Sequence, residues 1–187
     1  MNNLKIWGWD KKPRTMLRYL KAGDIFCFKY DESTYYFGRI LAIIPKFATI
    51  SEIFDYTSDE PVITHEIIEN AKRICHPVNI DAYSLFDRKL TNKTETGKAI
   101  KMTDETSDWR IIGHYENFIP KDADSIFFTY GHPLHKKMDI YRNSTPITAE
   151  EAMKLPVFTY LTDYDVSKMI ELAKDNPNLI YPQWGKH

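Results

Sequence analysis

Residues 23–44, GDIFCFKYDESTYYFGRILAII, decide the fold. Ile25, Phe26, Cys27 and Phe28 form an unbroken apolar and aromatic run, and Asp31, Glu32, Ser33 and Thr34 are turn formers. From Tyr35 to Ile44 the chain is β-branched and aromatic, with one glycine and one arginine inside. Two such runs joined by a short polar segment read as a β-hairpin. Gly23 with Asp24 supplies the turn that starts it, and Pro45 ends it because proline cannot donate to a strand ladder. Tyr35, Phe37 and Ile40 are expected to feed the core. Gly38 is expected to mark a bulge or a close backbone approach. Arg39 is expected to point outward or pair with a carboxylate, as scaffold and not as the lining of a pocket.

Working outward, residues 47–56 (FATISEIFDY) alternate imperfectly and predict a third strand. Ile63, Ile67, Ile68, Ala71 and Ile74 recur at helical spacing, which predicts a helix over 63–74 with Thr64 as its cap. Residues 78–86 read as a strand. Residues 87–108 are polar, an exposed loop or ragged hairpin with 98–101 as a strand fragment, and a polar loop this long is uncommon unless it is mobile or used in binding. Residues 109–115 and 125–130 predict strands, and 136–141 a last short one. Thr148 to Glu151 has the capping-box pattern for a short helix that stops before Pro156. A second helix opens at Thr162 and closes at Asn176, with Val166, Met169, Ile170 and Ala173 as its apolar side. The tail carries Tyr181, Pro182 and Trp184, aromatic enough to dock on the body.

The expected fold is therefore α+β: a bent antiparallel sheet or partly open small barrel with flanking helices and a C-terminal helical segment. It is expected as one domain over 1–187, with a basic N-terminal segment (1–22), a β-rich core (23–130) and a C-terminal extension with short helices (131–187). A chain of 187 residues buries a core without staples.

The net charge of −1 gives no global pull toward nucleic acid or membrane. The charge is nevertheless partitioned. Residues 1–50 hold nine Lys/Arg against four Asp/Glu, and residues 51–120 hold eight against thirteen. Two cysteines, Cys27 and Cys75, suggest no disulfide framework, and Cys27 within an apolar strand reads as a buried thiol. The N-terminal stretch has no apolar core of signal-peptide length, and no apolar run approaches the roughly 20 residues of a membrane span. A cytoplasmic, reducing compartment is expected.

Chemistry is thinly signalled. His132 and His135 form H-x-x-H without a third zinc ligand. Cys75 and His76 are adjacent, and neighbouring residues diverge in either regular structure, so a nucleophile–base pair is the weaker reading. There is no Walker loop, dinucleotide fingerprint or nucleophile elbow. No catalytic residue, metal ligand or cofactor is expected. Carboxylates cluster at Asp55, Asp59 and Glu60, and again at Asp104, Glu105 and Asp108. A solvated edge explains such clusters most often, but the two flank strands that could be neighbours, and together they would make an acidic face for a basic partner.

Lys21–Phe28 (KAGDIFCF), then residues 35–41 (YYFGRIL), resemble the immunity protein 26 family of bacterial polymorphic toxin systems. The family pattern is K-x-G-D-h-F, then [YF]-h-F-G-R-h-h, then W-[KR]-I-I-G, matched here at residues 109–113. The acidic-aromatic segment at 52–55 lies between, where the family also carries a strand. The resemblance covers residues 21–119. It implies a non-enzymatic cytoplasmic protein that binds and neutralises a cognate toxin, often a nuclease delivered by contact-dependent inhibition, by occluding its active site. The toxin-binding residues would be Asp55, Asp59, Glu60, Asp104, Glu105 and Asp108. The alternative is a small-barrel nucleic-acid binder that uses the basic start with Trp7 and Trp9.

Overall fold

A computed structural model describes residues 3–11, 15–86, 91–93, 99–101, 108–176 and 178–183. The hairpin is β2 (Asp24–Lys29) and β3 (Tyr35–Ile44), paired antiparallel from Ile25 opposite Arg39 to Lys29 opposite Tyr35. It is the centre of a six-stranded antiparallel sheet. β4 (Ala48–Ser58) continues beyond β3, and β5 (Val78–Asn79) adds a short edge. On the other side β8 (Trp109–Tyr115) pairs with β2, and β1 (Leu4–Ile6) closes that edge, giving the order β1-β8-β2-β3-β4-β5. β6 (Thr91–Lys93) and β7 (Ala99–Lys101) form a separate two-stranded hairpin. β9 (Phe127–Tyr130), β10 (Lys136–Asp139) and β11 (Ser144–Pro146) form a three-stranded sheet. The large sheet does not close, so the architecture is an open α+β fold and not a barrel. Register shifts in β2–β8 and β3–β4 mark the irregularities at which such strands bend.

β2 reads as a continuous apolar run because both its faces are covered. Phe26 and Phe28 point into one cluster with Ile40, Phe86, Trp109, Val166 and Ile170. Ile25 and Cys27 point into another with Phe37, Phe54, Ile63 and Ile68. The Phe28 and Trp109 rings stack at 3.9 Å and 4°. Each buried Phe or Ile of this kind contributes about 1.5–3 kcal/mol. A third cluster, with Leu41, Ile50, Ile126, Phe128 and Ile140, seats the small sheet against β3 and β4.

The helices are α1 (His65–Asn70), α2 (Ala82–Phe86), α3 (Ala149–Ala152) and α4 (Asp163–Asp175). The expected capping box of Thr148 with Glu151 is present, and the helix that opens at Thr162 has one as well, with Asp165. The described part of the tail docks as expected, the Val157 amide donating to the Pro182 carbonyl at 2.7 Å, while Trp184 lies outside the described residues.

Several expectations are corrected. The helix expected over 63–74 stops at Asn70, although Thr64 caps it. Lys72 to Ile74 instead run along the edge of β4, where the Asp55 amide donates to the Lys72 carbonyl and the Ile74 amide to the Ile53 carbonyl. That edge offers ladder bonds and a carboxylate for Arg73, which outweigh helical propensity. The strand expected over 78–86 ends at Asn79 and becomes α2. Asp81 starts that helix, its carboxylate accepting from the Ser84 amide. Ala82, Leu85 and Phe86 lie at i, i+3 and i+4 and are buried, so the segment satisfies both periodicities and the helix wins by burial. β1 and β11 were not expected; both are three-residue strands, too short to show a period, β1 pairing with β8 far along the chain and β11 with the adjacent β10. The expected strand over 125–130 begins at Phe127, after a 3-10 turn at Ala123–Ser125. Pro13, whose fixed φ suits a first helical position, lies outside the described residues, and Leu17–Tyr19 form a 3-10 turn.

Candidate functional site

β3 spans the sheet from end to end, and its two ends carry different chemistry. At its start, Tyr35 lies opposite Lys29 of β2 and Ser58 of β4. The Lys29 amide in turn donates to the Asp108 carbonyl at 2.8 Å. The ladder therefore sets the start of β8, the end of β2, the start of β3 and the end of β4 side by side. Asp108, Asp31, Glu32, Asp59 and Glu60 all sit at this end of the sheet and are exposed. None of the five is in an ion pair among the described residues. Lys29 stands among them. Hydrogen bonds from Ser33 and Thr34 hold the Asp31 carboxyl below its ordinary range, so it stays charged.

Of the six expected contact residues, Asp59, Glu60 and Asp108 share this end. Asp55 is exposed but lies further along β4, and Asp104 and Glu105 lie outside the described residues. β4 and β8 are not neighbours: β3 and β2 separate them, so the two acidic groups stand roughly 14 Å apart at a strand spacing of about 4.8 Å. Asp31 and Glu32, read only as turn formers, join the group because the β2–β3 turn closes at the same end.

A second polar site lies midway along β3 and overturns the division between scaffold and pocket. Arg39 lies opposite Glu52 in the ladder, and its Nε donates to Glu52 Oε1 at 2.7 Å. Arg73 Nε donates to Glu52 Oε2 at 2.5 Å, while its two other nitrogens hold the Asp122 carboxylate. The side chain of Glu52 is 4% exposed, and those of Arg39 and Arg73 are 16% and 24% exposed. Burial works against the Arg73 charge, but the hydrogen bonds and charges of Asp122 and Glu52 outweigh it and keep the guanidinium firmly protonated. The Arg73 hydrogen bond holds the Asp122 carboxyl below its ordinary range. Arg39 also lies over the Phe118 ring at 4.3 Å. The four charged groups line a cleft of about 830 Å³ with Phe118, Lys121 and Glu69. Arg39 does pair with a carboxylate as expected, but it also lines this cleft. The local signal was a lone glutamate inside an apolar strand; nothing local in the sequence joins it to Arg73 or Asp122.

The chemistry weighed from the sequence takes structural roles here. Burial pushes the Cys75 thiol up to about 12, and its Sγ lies 3.4 Å from Met169 Sδ. His76 uses both ring nitrogens, one against the Pro77 carbonyl and the other accepting from the Tyr181 amide, each at 2.8 Å. Cys27 is fully buried and free, and its thiol is also pushed up by burial. Among the described residues no group of three or more His, Cys, Asp or Glu is placed to hold a metal ion, and no helix is long and apolar enough to cross a membrane. Trp7 donates its indole N–H to the Ile111 carbonyl at 2.9 Å. Trp9 sits edge-on to Tyr35 and against the Arg110 guanidinium. Both tryptophans are half-buried and packed against the core clusters.

The large sheet is open, flanked by helices, and carries exposed carboxylates at one end. The family model described as Immunity protein 26 matches residues 21–140, from the turn before β2 through β10, and the chain belongs to that family. Membership implies an immunity protein that binds a cognate toxin. The match extends beyond the motifs at 21–119 to take in β9 and β10. No curated protein and no solved structure matches the chain.

Proposed function

We propose that this protein binds a cognate polymorphic toxin of a contact-dependent inhibition system, a nuclease, in the cytoplasm and blocks its active site without catalysis of its own. The docking surface is the acidic end of the large sheet: Asp59, Glu60 and Asp108, with Asp31 and Glu32 between them. Asp104 and Glu105 precede Asp108 in the chain and join the proposed contact set, and Asp55 extends it along β4. The observation that carries this reading is the set of five exposed carboxylates at one sheet end, none of them ion-paired among the described residues. A nuclease cleft must hold phosphates and is therefore basic, so it complements this surface.

The test is co-expression with the toxin domain encoded beside this gene. The pair should co-purify with a dissociation constant well below about 1 μM, and the combined variant Asp59→Lys, Glu60→Lys, Asp108→Lys should weaken it at least a hundredfold. Affinity weaker than micromolar is too low for useful neutralisation and would discard the reading. Tight binding indifferent to the charge reversal would move the interface elsewhere on the molecule.

A further inference from the structure

The opposite end of the same sheet carries a surface of contrary character. At the β3–β4 turn, a groove of about 800 Å³ runs between the 3-10 turn at Leu17–Tyr19, the turn itself, the start of α2 and the segment before α4. Leu17, Leu20, Ile43, Phe47, Tyr83 and Tyr160 give it an apolar and aromatic lining. Leu17, Tyr83 and Tyr160 are 37%, 50% and 51% exposed, so large apolar groups stand in water here. Arg18 and Lys46 line it too, and Arg142 lies over the Phe47 ring at 4.3 Å. All three cations are exposed, and none is in an ion pair among the described residues. One carboxylate, Asp81, lines the groove and is already engaged by the Ser84 amide.

We propose that this groove docks a segment of a partner protein in which one or two apolar or aromatic anchors are flanked by carboxylates. The volume suits a few side chains and not a folded surface. Tyrosine and arginine around an apolar floor are the residue types that concentrate binding energy at interfaces. The exposed cations set the sign of the occupant by complementarity. The groove is held in shape before binding: the Tyr160 hydroxyl donates to the Phe47 carbonyl at 2.5 Å, fastening the segment before α4 to the β3–β4 turn. Such pre-organisation lowers the ordering cost of binding.

Nucleic acid fits the same surface less well. Single strands bind by stacking bases on free rings along a basic track. The Phe47 ring is already engaged by Phe158, stacked at 5.1 Å, and by Arg142. Asp81 adds a negative charge where a phosphate would pass. Two half-exposed rings, Tyr83 and Tyr160, do line the groove, but Leu17, Leu20 and Ile43 between them offer aliphatic carbon and no ring face.

The inference does not rest on the toxin reading, because the groove and the acidic end lie at opposite ends of β3. It is tested by selecting 12-residue peptides from a phage-displayed library on the intact chain and measuring synthetic copies by fluorescence anisotropy. The expected consensus pairs Leu, Phe or Trp with Asp or Glu, and its affinity falls at least tenfold in both Arg18→Glu/Lys46→Glu and Tyr83→Ser. These side chains are exposed, so circular dichroism should show both variants folded. No enrichment, a neutral or basic consensus, or affinity unchanged in the variants would overturn it. So would binding of a labelled single-stranded oligonucleotide that is lost in Arg18→Glu/Lys46→Glu, which assigns the groove to nucleic acid. Self-association in sedimentation that the same variant abolishes would assign it to a second copy. The Asp59/Glu60/Asp108 reversal is scored separately against the toxin, so each reading fails on its own measurement.

Discussion

At the scale of single residues, the F-G-R phrase at 37–39 does two jobs. Gly38 is required by space and not by φ: a Cβ there would stand 2.3 Å from the Glu52 carbonyl oxygen and 2.3 Å from the Phe26 ring. Gly38→Ala is expected to destabilise by about 1–3 kcal/mol through overpacking, more than the ~0.4–1 kcal/mol that a stiffer unfolded chain returns. Urea unfolding measures this, and a neutral or stabilised variant would refute the close approach. Arg39 belongs to the charge network around Glu52. Glu52→Gln keeps the volume but leaves two guanidinium groups facing a neutral partner, so a loss of about 3–5 kcal/mol is expected in the same assay. A loss below about 1 kcal/mol, the range of an exposed pair, would mean that solvent already screens the network. The glycine was legible in the sequence as a bulge or close approach. The network was not, because Glu52, Arg73 and Asp122 meet only once 71–74 lies along β4 and the loop before β9 folds over it.

At the scale of elements, apolar, β-branched and aromatic runs bounded by turn residues and helices with a clear N-terminal start were readable, as β2, β3, β8, α3 and α4 show. Segments that satisfy two periods were decided by tertiary contacts, as at 72–74 and α2. The C-terminal tail depends on such a contact, the Tyr181 amide donating to a His76 nitrogen that must be unprotonated. Burial lowers the His76 pKa, with the Pro77 hydrogen bond opposing it in part. The folded state therefore refuses a proton that the unfolded chain accepts below about pH 6.5. The stability that neutral His76 contributes is complete above that pH and declines as pH falls through it toward the lower folded value. Thermal melts from about pH 7.5 to 5 should show this decline, and His76→Gln should flatten it. Identical slopes in both proteins would remove His76 as its source.

At the scale of the whole molecule, the ten residues of β3 separate an acidic end from an apolar and basic one. This division does not follow the partition along the chain: Asp31 and Glu32 of the basic first stretch sit at the acidic end, and Arg142, from neither stretch, sits at the other. Exposed carboxylates act mainly on encounter, so the Asp59/Glu60/Asp108 reversal should slow toxin association more than it speeds dissociation. In the wild-type pair the association rate should drop steeply with added salt, since the Debye length shrinks from about 10 Å at 0.1 M to about 3 Å at 1 M. Stopped-flow measurement over that range checks it, and a flat salt dependence would show that charge plays no part in docking.

The amino-acid order by itself determined the hairpin at 23–44, the α+β class and the family, because these rest on local period, turn chemistry and short motifs. Only the tertiary structure decided which carboxylates share a surface, that Arg39 lines a cleft, and that an apolar groove opens at the β3–β4 turn. Each of those depends on strand order and on the packing of segments far apart in the chain. Local sequence carries the preference of a segment for its own conformation; it carries almost nothing about which distant segment will lie beside it.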